Sequence, residues 1–138
     1  MKYLLDTSAL LAHARRESEG PLVQELFDHG DTEILLCSVS LAEMARRLRE
    51  LGVPEERNRL IIADYEDLAV EVVPVDAEVA RKADRISLET GRRLPLADAL
   101  IAAAAASRGA VLVHRDAHMR SIPLDQVEQL DLVASGEP

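Results

Sequence analysis

Four acidic residues, Asp6, Glu43, Asp98 and Asp116, each stand where an apolar run ends or a helix begins. Carboxylates at such places either cap helices, accepting from unpaired first-turn N–H groups, or converge and hold cations. Asp98 poses the choice most sharply. It is the one charge in Leu94-Pro95-Leu96-Ala97-Asp98-Ala99-Leu100-Ile101-Ala102-Ala103-Ala104-Ala105-Ala106. The small side chains of that run predict a buried helix packed closely against a sheet, with Pro95 at its first helical position. Dipole stabilisation in the first turn accounts for Asp98 taken singly. Capping does the same for Asp6, which follows Lys2-Tyr3-Leu4-Leu5, and for Asp116, at the head of a short helix or turn. Glu43 has Arg46 and Arg47 at helical spacing, a surface pairing worth about 0.3 kcal/mol. None of these local roles explains why the four would share one place.

The elements that carry them suggest that they do. Apolar runs predict strands over 2–5, 33–37, 69–75 and 110–113, with a weaker one near 130–133. Between them, helices are expected over about 8–16, from Gly20-Pro21 to His29-Gly30, from a Ser38 or Ser40 cap to about Leu51, and over 54–67. A further helix runs from an Asp76 cap to Gly91, and the alanine-rich helix closes at Gly109. Stripes such as Leu41, Met44, Ala45, Leu48 and Leu51, or Val79, Ala83 and Ile86, repeat at helical spacing. Strands alternating with helices predict an α/β three-layer sandwich around a mostly parallel sheet of four to five strands. It forms a single domain over 1–134, with a frayed tail at 135–138. In parallel sheets, ligands sit beyond the carboxyl ends of the strands. Asp6 follows the first strand, Asp116 follows the fourth, Glu43 opens the helix after the second, and Asp98 opens the helix leading into the fourth. All four acids are therefore expected at one edge.

Carboxylates gathered there repel unless cations hold them. Oxygen-only ligands suit Mg²⁺ or Mn²⁺. Such ions lower the pKa of a bound water and stabilise charge at phosphorus, so a phosphodiester is hydrolysed without a protein nucleophile.

Composition narrows the field. The chain has 138 residues, 48% of them hydrophobic and 30% charged, as expected of a folded domain rather than a disordered tail. A net charge of −9 argues against general adhesion to nucleic acid or anionic membrane. Aromatic residues are limited to Tyr3, Phe27 and Tyr65, too few for base stacking as the main mode of recognition. The single cysteine, Cys37, lies in an apolar run and reads as a core residue of a reducing compartment. No stretch reaches membrane-spanning length and Asp6 interrupts the amino-terminal apolar run, so a cytoplasmic location is expected. A Gly-Lys-Ser/Thr nucleotide loop is absent from the sequence. His13, His29 and His118 have no mutual ligand spacing and read as surface residues.

Four segments together resemble the PIN-domain family, and within it the VapC-type toxin branch. They are Leu4-Leu5-Asp6-Thr7-Ser8-Ala9-Leu10, Ser40-Leu41-Ala42-Glu43, Pro95-Leu96-Ala97-Asp98-Ala99-Leu100-Ile101-Ala102 and Val113-His114-Arg115-Asp116. The order matches over nearly the whole chain. The resemblance implies a metal-dependent endoribonuclease, the toxin half of a type II toxin–antitoxin pair, with RNA as substrate, a small antitoxin as partner and a homodimeric state. It implies Asp6, Glu43, Asp98 and Asp116 as catalytic residues. Asp6, Asp98 and Asp116 would ligate Mg²⁺ or Mn²⁺, and Glu43 would complete the cage and orient the attacking water. Ser8 matches a hydroxyl near the metal, and with Arg93 and Arg115 is expected to meet substrate. His114 departs from the pattern, standing where Thr or Ser is common.

Arg46, Arg47, Arg92, Arg93, Arg115 and Arg120 are expected near the same edge, either on RNA phosphates or on solvated faces. Leu60, Ile61, Ile62 and Tyr65 give helix 54–67 more apolar surface than one buried face needs, suggesting a groove or dimer face beside ordinary core. The alternatives are an RNA-processing nuclease outside a toxin pair, or a non-catalytic binding or signalling domain. A receiver-like domain needs a lysine after its last core strand, and an aspartyl phosphatase needs a second acid two residues after the first. This sequence has neither.

Overall fold

A computed structural model describes residues 1–91 and 93–136. Among them, five strands form one sheet in the order β3-β2-β1-β4-β5, and every pairing is parallel. The strands are β1 (Lys2–Leu5), β2 (Glu33–Cys37), β3 (Glu71–Val73), β4 (Val111–His114) and β5 (Gln129–Asp131). The helices are α1 (Thr7–Ala14), α2 (Gly20–Asp28), α3 (Ser38–Glu50), α4 (Glu55–Leu68), α5 (Ala77–Thr90), α6 (Leu96–Ser107), α7 (Ala117–Arg120) and α8 (Leu132–Gly136). The expected three-layer α/β architecture is thus observed, at the upper strand count and with a wholly parallel sheet.

Alternation along each strand sends side chains to two covered faces. Leu4, Leu35, Cys37 and Leu112 pack with α5 and α6. Leu5, Ile34, Leu36 and Val113 pack with residues of α1, α2, α3 and α4, among them Leu10, Val23, Met44 and Tyr65. Helix α6 shows why its composition is so narrow. Ala99 and Ala102 to Ala105 have no exposure, because the helix lies against both the sheet and α5. A helix buried nearly all round carries apolar residues nearly all round. At the α1–α2 corner, a Cβ on Gly20 would stand 2.9 Å from the Ala12 carbonyl oxygen, so only glycine allows that approach.

Several boundaries differ from expectation for local reasons. Pro95 is the N-cap of α6 rather than its first helical residue, its ψ of 140° being extended. Helix α3 starts at Ser38 with Cys37 as N-cap and no side-chain cap bond. The Ser38 hydroxyl instead accepts from the Val75 N–H at 3.2 Å. β3 is shorter than 69–75. The weak last strand ends at Asp131, where α8 begins, and α8 takes in residues 135–136 of the expected tail. Residues 137–138 lie outside the described residues. Among the described residues no helix is long and apolar enough to cross a membrane.

Strand order explains where a site can form. The chain steps outward from β1 through β2 to β3, then returns to place β4 on the other side of β1. The reversal opens a crevice beyond the carboxyl ends of β1 and β4, where helices diverge to opposite faces. Asp6 and Asp116 are the residues that emerge there.

Candidate active site

Asp6 is the N-cap of α1 and is 2% exposed. Its Oδ1 accepts from the Ala9 N–H at 2.8 Å, and the Ser8 hydroxyl donates to the carboxylate, 2.7 Å from Oδ1 and 2.9 Å from Oδ2. The Ser8 oxygen in turn accepts from the Arg115 N–H at 3.1 Å. A single hydroxyl thus ties the end of β4 to the acid at the end of β1. Despite these bonds, burial dominates and pushes the Asp6 carboxyl up to about 7, with Asp116 and Asp98 adding to the rise. Ser8→Ala deletes one of the bonds that favour the charged form. The Asp6 carboxyl is therefore expected to titrate still higher by carbon NMR, and an unchanged titration would show that the hydroxyl does not hold it.

Asp98 lies in the first turn of α6, as expected, with its side chain 15% exposed. Burial pushes its carboxyl up to about 6, with Asp116 and Glu43 contributing and His118 opposing. Glu43 is in the second turn of α3 rather than the first, because that helix starts earlier than a serine cap would place it. The surface pairing of Glu43 with arginine, the local alternative to a site role, does not form. Arg46 and Arg47 reach Glu50 at 3.6 and 3.4 Å, while Glu43 Oε1 accepts from the Thr7 hydroxyl at 2.6 Å. The Ser40 hydroxyl lies 3.2 Å from that of Thr7. Thr7, Glu43, Arg46 and Arg47 line an open cleft of about 250 Å³.

Asp116 is the N-cap of α7, and its Oδ1 accepts from the His118 N–H at 2.8 Å. Its own N–H donates to His114 Nδ1 at 3.1 Å. His114 must then carry its proton on Nε2, which donates to Gln129 Oε1 at 2.9 Å. Fully buried, with both nitrogens engaged and its pKa lowered by burial, His114 shapes the Asp116 backbone and offers nothing to a phosphate. Arg115, expected to meet substrate, here has its guanidinium bonded to Glu17 and to Glu19, the latter at 2.9 Å. Arg93 is exposed in the loop before α6, and Arg92 lies outside the described residues.

The sequence reading missed Thr7, Ser40 and His118. For Thr7 and Ser40 a signal existed, since both are hydroxyl residues beside assigned acids. His118 stands two residues after Asp116, which was a signal of the same kind, whereas its approach to Asp98 joins residues far apart in sequence. One ligand atom from each of Asp98, Asp116 and His118 falls within 4.8 Å of the other two. Two carboxylates and one imidazole are a donor set that fits a divalent ion such as Mn²⁺ or Mg²⁺.

Among the solved structures to which the chain is similar are two VapBC structures and one toxin. VapBC2 from Rickettsia felis, bound to a DNA fragment from their promoter, superposes with a TM-score of 0.75 at 19% identity, covering 95% of this chain and 98% of that one. VapBC-5 from Mycobacterium tuberculosis, of the VapBC family of toxin–antitoxin systems, gives 0.65 at 28% identity, with 94% and 98% covered. Mycobacterium tuberculosis VapC20, a sarcin–ricin loop cleaving toxin, gives 0.66 at 18%, with 86% and 93% covered. Comparison with curated protein sequences gives no match. The PIN domain family model matches residues 3–124, a span that holds all four acids and the crevice between β1 and β4. By that match the chain belongs to the PIN domain family.

Proposed function

We propose that the chain is a divalent-metal-dependent endoribonuclease, the toxin of a type II toxin–antitoxin pair acting in the cytoplasm. One observation carries the reading: contacts between elements gather the four acids at one edge of the sheet. Ligand atoms of Asp98 and Asp116 lie within 4.8 Å of each other, Ser8 joins Asp6 to the Arg115 N–H beside Asp116, and Thr7, next to Asp6, holds Glu43. Four separate helix caps would not be linked in this way. The description of VapBC-5 as a member of a toxin–antitoxin family and of VapC20 as a toxin adds support for the pair.

Asp6, Asp98 and Asp116 would hold Mg²⁺ or Mn²⁺. Such an ion, when bound, supplies a lowered water pKa and charge stabilisation at phosphorus. The chain's own residues do the rest. Thr7 holds Glu43 Oε1, which leaves Oε2 to accept a proton from the attacking water. Ser8 and the Ala9 N–H keep the Asp6 carboxylate in one rotamer. Arg46 and Arg47, on the rim of the cleft beside Glu43, and Arg93, exposed before α6, offer positive charge to a phosphate backbone on an otherwise acidic chain. The guanidinium of Arg115 reaches a phosphate only by leaving Glu17 and Glu19. A homodimer belongs to the same reading, with Leu60 and Leu68 exposed on α4 as the apolar surface available for it.

Purified chain mixed with single-stranded RNA and Mg²⁺ or Mn²⁺ is expected to produce discrete fragments. Chelation should stop cleavage and added Mn²⁺ should restore it. Intact RNA under every metal condition would overturn the nuclease reading. Cleavage without growth arrest on expression would remove only the toxin assignment.

A further inference from the structure

His118 stands against two of the four acids. Asp116 fixes it there: by accepting the His118 N–H, the carboxylate sets the backbone so that the ring turns back across the site. Nδ1 then lies 3.3 Å from Asp116 Oδ1 and 3.8 Å from Asp98 Oδ2. Ligand atoms on a small divalent ion sit about 2.1 Å from it, so opposed ligands are about 4.2 Å apart. The observed mutual reach of 4.8 Å for Asp98, Asp116 and His118 needs only a small side-chain adjustment to match.

The other described histidines do not compete for this role. His13 has both nitrogens engaged, 2.6 Å from the Tyr65 hydroxyl and 2.6 Å from Gln24 Oε1. His114 is sealed between Asp116 and Gln129. His29 is exposed just past the end of α2, away from the acids. The side chain of His118 is 58% exposed, so its ring can turn without disturbing the core.

We propose that His118 is a ligand of the same ion that Asp98 and Asp116 hold, and that its nitrogen tilts the site towards Mn²⁺ over Mg²⁺. This rests on the metal-site reading under Proposed function. The physical ground is ligand preference. Mn²⁺ shares with Mg²⁺ a preference for oxygen, but as the larger and softer ion it accepts an imidazole nitrogen at lower cost, whereas Mg²⁺ keeps to oxygen ligands and several of its waters. Adding one nitrogen donor to a carboxylate pair therefore raises Mn²⁺ affinity more than Mg²⁺ affinity.

The test uses the full chain, His118→Gln and Asp98→Asn, each titrated calorimetrically with Mn²⁺ and with Mg²⁺. Pulsed EPR on the Mn²⁺-loaded wild type reads nitrogen coupling directly and needs no variant. The expected result is a nitrogen coupling that disappears in His118→Gln. Mn²⁺ affinity should fall on the order of tenfold in that variant, as when a metal-site partner is lost, with a much smaller change for Mg²⁺. Mn²⁺ binding without nitrogen coupling and with equal affinity in both chains overturns the assignment of His118 and leaves the carboxylate site standing. Tighter Mn²⁺ binding in His118→Gln also overturns it, showing the ring to be a resident counter-cation instead. If Asp98→Asn weakens neither ion, or the wild type binds neither, the metal-site reading itself fails and this inference fails with it.

Discussion

Asp98→Asn is expected to lower metal-dependent RNA cleavage on the order of 10³-fold, about 4 kcal/mol of transition-state stabilisation, while the fold survives. The amide keeps the shape of the carboxylate, so packing around α6 is untouched. What changes is charge. The carboxylate is only 15% exposed and is opposed by Asp116 and Glu43, so its removal relieves repulsion. The loss of a favourable first-turn charge costs about 0.3–1 kcal/mol and is offset by that relief. Single-turnover cleavage and thermal melting of the same preparation check both halves. Full cleavage by a folded variant would remove Asp98 from the machinery. Loss of cleavage together with loss of the fold would show that the acid's role is structural.

The metal-free chain is expected to lose stability as pH rises from about 4 to about 7, the reverse of the usual acid denaturation. The sign follows from the two acids with raised pKa values, which outnumber the one opposing group: burial lowers the His114 pKa, so below 6.5 the unfolded chain holds a proton there that the folded chain lacks. Between 3.8, the ordinary aspartate value, and about 7, the folded chain keeps a proton on Asp6 that the unfolded chain has released. The folded state binds more protons in that window, so stability is full below it and falls as pH rises through it. For Asp6 the fall is on the order of 4 kcal/mol. Asp98 contributes in the same direction up to about 6.

A divalent ion replaces those protons. Mn²⁺ or Mg²⁺ should therefore raise Tm far more at about pH 8 than at about pH 5, where protons must first leave. Asp6→Asn should remove the larger part of the metal-free slope and leave that of Asp98, because a neutral amide occupies the buried position at every pH. Denaturant melts across the range, with and without ion, read this directly. A flat wild-type profile would mean that Asp6 is not held in a desolvated, like-charged setting.

Much of the placement of these acids in the fold was legible in the sequence. Helix punctuation was local enough to read: Asp6 and Asp76 accept from the N–H three residues on, and Gly91 closes α5 in the left-handed region at φ 68°. Strand positions followed from apolar runs, and the placement of the four acids followed from strand ends. The misplaced features depend on competition between partners. Ser38 was a candidate cap for α3, but its hydroxyl accepts from the Val75 N–H across a strand end, and the helix starts at Ser38 with no side-chain cap. Glu43 had arginines at helical spacing, but Glu50 took them and Thr7 took Glu43.

The amino-acid order therefore determined the element types, the parallel three-layer plan and the edge at which the acids gather, because each depends on neighbours a few residues away or on which end of a strand a residue occupies. Only the tertiary structure decided which side chains touch there. The seating of His118 against Asp98, the Ser8 link from Arg115 to Asp6, the sealing of His114 and the capture of Arg115 by Glu17 and Glu19 all join residues from different elements. Pairing at that range is set by the packing of helices on the sheet, to which no local spacing in the chain responds.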